Sequence, residues 1–512
     1  MAGRQTPART LLTHKPFLAL WAARAISFLG DQIATIALVL LIAREHPATA
    51  VGGLLLAESL PWLLSAVAGS IADRFERRAL MIGCQLGQGL IFGAITIWLP
   101  PYAALLALVA LASLLGTLLR AAGQSSVPAL VRDDDLLAAN ALLGTALNAS
   151  VVMGPAIGGA LAGLAGPRLA LGVDTATFLL SAGTLLWLPL LPAEPIGSGE
   201  PAGRGAMIAL RYAAADPVLR ALLLSTAMLV AFAGVDNVAL VFLVRETLGG
   251  GSFAFGAAMA AFGVGMLLAT AVLVRFPRWP AERLAFGGTA ATAAGTTLTG
   301  LSPSLGAVYP AQAVAGLGNG IELAAGNTLI QRRTPPAMVG RISGALQMGV
   351  ASGFLVAYLG GGALIDATSP RTAFLVAGGG SALALLVLRP VLTMRTTVSS
   401  AATLEQLYQA FNDRDLDALL SQMTADVDWP NAWEGGRIRG TDGVRDYWTR
   451  QWAAIDPRVE LLEVTTRADG SVAVDVRQVV RSLEGEAVDE GRVVHVYRFR
   501  DGLVEQMDVE EP

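Results

Sequence analysis

Six ionisable side chains sit in long apolar stretches of this 512-residue chain, where an unpaired charge is costly. Arg24 and Asp31 are seven residues apart in the first stretch, two helical turns, so they share one helix face. Glu58 falls in the second stretch, Asp174 near one end of the sixth, Asp236 in the seventh and Glu322 in the tenth. Carboxylates in such a setting move protons or hold a substrate. The competing reading is a helix–helix ion pair, such as Arg24 with Asp31 or Glu58. A second concentration of charge is "GSIADRFERR" at 69–78, flanked on both sides by apolar sequence.

The elements that carry these groups follow from composition. The chain is 54% hydrophobic and 15% charged, against about 25% charged in an ordinary soluble domain. From residue 401 onward there are 23 acidic residues and 12 arginines, a net of −11, while residues 1–400 carry a net of +7. We therefore expect an all-α polytopic membrane region followed by a soluble acidic domain. A bilayer core of about 30 Å takes about 20 apolar residues per helix. Windows of that kind fall at 17–43, 51–71, 79–99, 102–122, 138–164, 168–190, 219–244, 254–274, 284–302, 306–330, 341–365 and 372–392. They predict twelve spans. With the N-terminus in the cytoplasm, 19 basic residues fall on the inner side and 4 (Arg44, Arg168, Arg245, Arg371) on the outer side. The positive-inside rule then places both termini in the cytoplasm. The basic leader before the first span has no cleavage site and reads as retained.

An internal repeat supports two six-helix bundles. "GDQIATIALVLLIARE" recurs loosely as "VDNVALVFLVRE", setting Asp31 opposite Asp236, 205 positions on. "GGALAG" at 158–163 matches "GGALID" at 361–366, 203 positions on. The Pro/Gly-rich run from about 193 to 216 reads as a central cytoplasmic loop between halves at about 14–192 and 217–395.

The same residues carry a family resemblance. "GSIADRFERR" resembles the loop signature between the second and third spans of the major facilitator superfamily, with Gly69, Asp73, Arg74, Arg77 and Arg78 in its positions and Glu76 where a glycine is common. "VVMGPAIGGAL" is similar to the fifth-span motif of drug/proton antiporters through Gly154, Pro155, Gly158 and Gly159, with Ser150 replacing an earlier glycine. "SSVPALVRDDDLLAANAL" and "TLIQRRTPPAMVGRISGALQ" further resemble the branch of macrolide and enterobactin exporters. The resemblance covers residues 14–392. It implies alternating access, with Asp73 and Arg74 forming and breaking a contact with a neighbouring helix end as the halves rock. Arg77 and Arg78 also satisfy the positive-inside bias by themselves, and the fifth-span glycines have a plain packing reading, since small residues let helices approach.

Residues 393–402 read as a polar linker. Beyond it come two short helices, a third over "TDGVRDYWTRQWAAI" capped by Thr441 or Asp442, then alternating strands with "ADG" and "RDG" hairpin turns. That order gives an α+β domain over 401–512. The stretches "YQAFNDRDLDALLSQMTADVDW", "RGTDGVRDYW" and "VVHVYRFRDGLVEQMDV" resemble the nuclear transport factor 2-like, or SnoaL-like, superfamily of cone-shaped folds. The cone implies a pocket, with Trp429, Trp433, Tyr447, Trp448, Trp452, His495 and Tyr497 as lining candidates; the same aromatics have a core reading. Asp428 and His495 would form an acid/base pair if the fold brings them together.

No cluster has metal-ligand spacing and no phosphate-binding Gly-x-x-x-x-Gly-Lys-Ser/Thr loop occurs. We therefore expect no cofactor, no metal and no nucleic acid. The expected partners are membrane lipid, a small amphipathic substrate and protons as coupling ion, with a C-terminal domain able to dimerise. The reading is a proton-coupled exporter in the plasma or inner membrane with a ligand-binding or regulatory tail. The alternative is a bifunctional protein whose tail is an isomerase- or cyclase-like enzyme.

Overall fold

The computed structural model describes the chain except residues 1–10, 12, 73, 133–134, 193–210, 277–278, 335, 394, 432–434, 468–470, 501–502 and 511–512. Each apolar window becomes helix. In the first half these are α1 (Lys15–Glu45), α2 (Ala48–Ser59) and α3 (Ser65–Ala72), α4 (Arg77–Trp98), α5 (Tyr102–Leu130), α6 (Leu136–Ala165) and α7 (Pro167–Leu185). The second window is split because Pro61 opens a 3₁₀ turn, Leu60–Leu64, between α2 and α3. Gly166, at φ 82°, makes the corner between α6 and α7, and Pro167 starts α7 where a missing N–H costs nothing.

The second half holds α8 (Pro217–Ala233), α9 (Asp236–Phe242), α10 (Ser252–Arg275), α11 (Ala281–Leu301), α12 (Leu305–Arg333), α13 (Pro336–Ala367) and α14 (Pro370–Thr393). The seventh window is not the continuous helix expected. It breaks at Gly234–Val235 and closes in a π turn, Leu243–Thr247. Gly234 packs so tightly on α13 that a Cβ would come within 3.0 Å of the Ala357 methyl. Among the described residues, 8 helical segments are long and apolar enough to cross a membrane. The split second window and α7, α11 and α12 fall outside that set. In α11 and α12 the cause is glycine and threonine at close helix contacts: a Cβ on Gly288 would sit 2.6 Å from Glu322 N.

Two helix pairs join the halves, α6 with α10 and α2 with α13. They are images of each other. A Cβ on Gly159 would lie 2.7 Å from Ser252 O, and one on Gly362 would lie 2.7 Å from Thr49 Cα. Residues 159 and 362, and 49 and 252, are each separated by the repeat offset of 203 noted above. Similarly, Gly256 abuts the Pro155 carbonyl and Gly52 that of Tyr358, at offsets of 204 between the glycines and 203 between the carbonyls. The sequence repeat is thus a pseudo-twofold axis.

The two ends of this unit differ. One apolar core joins Ile33–Ala43, Val51 and Ala162 of the first half to Val238–Val244, Phe255, Tyr358 and Phe374 of the second. The core at the opposite end (Phe17, Leu20, Met81, Leu119, Leu130, Leu185) is drawn from the first half alone. The halves are sealed at the end where α2 begins.

Residues Val391–Pro512 form a second compact unit. The expected linker is helical from Arg395, as the first turns of α15 (Arg395–Asp413), and α16 (Leu416–Leu420) follows. Strands β1 (Met423–Pro430), β2 (Arg437–Arg439), β3 (Ile455–Thr466), β4 (Val472–Ser482), β5 (Ala487–Arg500) and β6 (Leu503–Glu510) form one sheet in the order β2-β1-β6-β5-β4-β3, parallel only at β1–β6. α17 (Gly440–Trp452) starts directly after Arg439 with no side-chain cap from Thr441 or Asp442. Leu404, Leu407, Tyr408 and Phe411 of α15 pack on Val472, Val474, Val476 and Tyr497.

Candidate functional site

The membrane-embedded charges of the first half converge. Thr35 Oγ1 lies 3.0 Å from both the Asp31 carbonyl oxygen and Glu58 Oε1, so its one proton is shared between α1 and α2. Arg24 and Arg120 both exert their charge on Asp31, and Arg120 also on Glu58. Both guanidiniums lie over aromatic faces, Arg24 at 4.7 Å from the Phe28 centroid and Arg120 at 5.1 Å from that of Trp62. Gly123 of α5 makes the room for Arg24, since a Cβ there would collide with its guanidinium. Asp174 is fully buried on α7, accepts a bond from Thr177 Oγ1 at 3.1 Å and feels the charges of Asp31 and Glu58. Gly30 is the notch that admits it. Tyr358 of α13 is buried close enough to Glu58 to feel its charge, which brings the second half to this cluster.

The second half is different. Asp236 opens α9 at the helix break and is held by Gln312. Glu322 accepts a 2.8 Å bond from Thr226 Oγ1. Asp31 and Asp236, set opposite each other by the loose sequence repeat, have unlike surroundings, one facing two arginines and the other a neutral amide.

The charged loop at 69–78 is tied to its own half. Asp73 lies outside the described residues. Gly69 has nothing within 4 Å of where a Cβ would be, and Arg74 is exposed. Arg77 is buried, its backbone N–H donating to Leu191 O at 3.0 Å, and Arg78 Nη2 donates to Leu186 O at 2.9 Å. In the fifth-span motif, Gly154 and Gly158 press on Gln32 and Ile33 of α1 and Gly159 on Gly256 of α10, so Pro155 and its glycines form a three-helix seam.

In the tail, the aromatic candidates pack on one another. Ring centroids are 4.8 Å apart for Tyr447–Trp448, 5.9 Å for Trp448–Trp452, 6.4 Å for Trp429–Trp448 and 6.4 Å for Trp429–Tyr497. Trp433 lies outside the described residues. Tyr497 donates to Tyr408 Oη at 2.8 Å, and Tyr408 Oη lies 2.8 Å from His495 Nδ1. Burial pushes the His495 pKa down to about 4. Asp428 and His495 are not brought together. Trp429 points to the face shared by Tyr497 and His495, so the adjacent Asp428 points to the other. There Arg437 Nε donates to it at 2.7 Å, beside a groove of about 550 Å³ lined by Asp426, Asp428, Arg439, Gly440, Glu505 and Gln506.

Four residues of these sites do not stand out in the sequence. Arg120 reads as an inner basic residue when its window ends at 122, whereas α5 continues to Leu130. Gln312 and Thr226 are ordinary polar residues until the fold sets them against carboxylates. Glu76, a mere departure from the loop signature, caps α4 by accepting from Arg78 N at 3.0 Å and Ala79 N at 2.6 Å, and it also takes Leu191 N at 2.8 Å. An acid directly before an apolar helix is a capping signal. Among the described residues, no three His, Cys, Asp or Glu side chains gather as a metal site.

A membrane protein of two related helical halves, sealed together at one end, with carboxylates on the helices between them, has the build of a transporter. Residues 20–351 and 224–414 match the model of the Major Facilitator Superfamily, and the chain belongs to that superfamily. Residues 404–507 match the SnoaL-like domain, so a SnoaL-like domain follows the transporter. The chain is 26% identical over 384 residues to "Uncharacterized MFS-type transporter YfiS" of Bacillus subtilis (strain 168), covering 71% of this chain and 90% of the relative. It is 27% identical over 165 residues to "Putative bacilysin exporter BacE" of the same organism, covering 31% of this chain and 40% of that protein. Among solved structures, the nucleoside transporter NupG superposes with a TM-score of 0.60 at 12% identity, over 74% of this chain and 99% of that one. A bacterial homolog of the human lysosomal transporter Spinster superposes with a TM-score of 0.58 at 18% identity, over 76% and 96%. These likenesses are of fold.

Proposed function

We infer that the protein is a proton-coupled exporter of small amphipathic molecules working by alternating access. The observation that carries this reading is the unequal sealing of its two ends. One apolar core joins the halves where α2 begins, and the core at the other end belongs to one half. With the arginine-rich side in the cytoplasm, this conformation opens inward. The bonds of the loop at 69–78 to Leu186 and Leu191 of its own half are in keeping with that state.

Coupling is assigned to Asp31 with Glu58 and Asp174, and to Asp236 and Glu322. Protonation of these groups favours one orientation and substrate the other. Arg24 and Arg120 are the counter-charges with which a proton or substrate competes for the first-half carboxylates. The tail is read as a cytoplasmic ligand-binding or regulatory domain, and the aromatic packing of Trp429, Trp448 and Tyr497 supports a structural part for those residues.

The test is efflux from a host lacking its own exporters, screened over a panel of amphipathic compounds. Asp31→Asn should abolish efflux while the protein still reaches the membrane. Wild-type efflux by that variant removes Asp31 from the mechanism. A chain ended after Arg395 separates tail from transporter: reduced efflux marks the tail as regulatory, and undiminished efflux marks it as a separate activity.

A further inference from the structure

We propose that Asp366 is a one-sided latch on the sealed end of the transporter, a positioning residue that biases the halves toward the inward-open state. The proposal rests on the alternating-access reading above. α2 starts after Pro47, which has no side chain able to cap it. Its first N–H groups turn instead to the other half. Ala48 N donates to Asp366 Oδ1 at 2.7 Å and Thr49 N to Asp366 Oδ2 at 3.0 Å. Asp366 sits in the last turn of α13, so both carboxylate oxygens are spent on a helix N-terminus contributed by the opposite half. The positive end of the α2 dipole adds to the attraction.

The pseudo-twofold axis provides an internal comparison. The repeat offset of 203 carries Asp366 onto Gly163, the last glycine of "GGALAG", and Thr49 onto Ser252. Gly163 faces the start of α10 in the same manner: a Cβ there would stand 3.8 Å from Phe253 N and 3.9 Å from Ser252 Cβ. α10 is preceded by Gly251 and has no side-chain cap either. The fold therefore offers two equivalent latch positions and fills one. The contact must break when the sealed end opens, because Asp366 moves with α13 and Ala48 with the other half. Asp366 is solvent-exposed, so the latch is a bias and not a lock. Loss of a carboxylate cap corresponds to roughly a 2- to 30-fold change in the equilibrium.

The test uses the full chain in lipid nanodiscs, with Cys84→Ala to remove the native thiol. Spin labels on Arg168→Cys and Ser304→Cys report the sealed end, and labels on Phe75→Cys and Arg283→Cys report the other. Asp366→Ala should raise the population with a long sealed-end distance by roughly 2- to 30-fold, with a matching shortening at the other end. Gly163→Asp, whose Cβ would make only ordinary van der Waals contacts, should lower that population, and the double variant should return toward wild type. A residue that merely stabilises the fold would lower the melting temperature in Asp366→Ala without moving the ratio. Two populations present in wild type at a ratio unchanged in Asp366→Ala and in Gly163→Asp overturn the latch and leave alternating access standing. One fixed distance at each end in every variant overturns both. If Asp366→Ala does not fold, Gly163→Asp alone decides.

Discussion

Gln312 sets its side-chain nitrogen 3.0 Å from each carboxylate oxygen of Asp236, at the break in the seventh helix. A single neutral donor faces the charge, and Gln312 Oε1 is buried without a partner. The site therefore accommodates an amide as readily as an acid: a flipped Gln312 would accept from an asparagine. Asp236→Asn should keep the melting temperature within a few degrees of wild type and abolish substrate-driven proton movement in proteoliposomes carrying a pH dye. Unaltered proton movement in that variant would exclude Asp236 from coupling.

The seam between α6 and α10 predicts a sharp contrast among glycines. A methyl on Gly159 meets Ser252 O at 2.7 Å and Gly256 Cα at 2.8 Å, both backbone atoms of a packed helix, while a methyl on Gly69 meets nothing within 4 Å. Overpacking of this kind costs about 1–3 kcal/mol. Gly159→Ala should lower the thermal midpoint and Gly69→Ala should leave it in place. Equal midpoints for the two variants would mean that α6 and α10 do not touch as described.

The periodic features were legible in the sequence because they are local. Apolar runs gave the helices, and alternation gave β4 and β5. The 203-residue repeat gave the pairing of halves, and Gly159 and Gly362 make close backbone contacts at corresponding residues, Ser252 and Thr49. What escaped was set by distance along the chain. Asp366 was legible as the end of a repeated motif but not as the cap of a helix 318 positions away. Arg120 looks like a loop residue unless α5 is longer than the bilayer minimum. The Gly234 break reflects the approach of α13, which no pattern within 217–247 records. Asp428 and His495 look combinable because both are polar and near aromatics. The side of the sheet each takes follows from alternation along the strand: Asp428 is adjacent to Trp429 and faces away from it, whereas His495 is two residues from Tyr497 and shares its face.

Glu76 ties α4 to the chain segment after α7 through three backbone donors. Partial burial pushes its pKa up, but the N–H groups of Leu191, Ala79 and Arg78 more than offset this, so the group ionises below the usual glutamate range. A carboxylate with a lowered folded pKa stabilises above its unfolded pKa of about 4.3, and that stabilisation is lost as pH falls through the lower folded value. Glu76→Gln should cost about 0.5–2 kcal/mol at neutral pH and should flatten the stability profile below pH ~5. A mutant profile parallel to wild type would assign the acid sensitivity to other groups.

His495 gives the same direction of pH dependence from a different cause, because here it is the neutral form that the folded state keeps. Tyr408 Oη receives the Tyr497 proton at 2.8 Å, which leaves its own proton to be accepted by Nδ1 of a neutral His495, 2.8 Å away, in the tautomer that satisfies all three groups. Protonating His495 would set two donors against each other in a buried site. Its pKa is accordingly lowered, by burial, to about 4. The unfolded chain binds this proton near pH ~6.5 and the folded chain does not, so the unfolded state holds more protons between those values. Tail stability should then fall as pH drops from about 6.5 to 4, by on the order of 3 kcal/mol if no other group intervenes. Hydrogen exchange in the full chain reads this directly on β5, where His495 and Tyr497 reside. His495→Gln keeps an acceptor for Tyr408 and cannot take a proton, so its β5 amides should exchange at nearly pH-corrected constant rates over that window. Acid-accelerated exchange equal to wild type in His495→Gln would move the origin of the effect elsewhere in the tail, while Tyr408→Phe, which strips both neighbours of their partner, should loosen β5 at every pH.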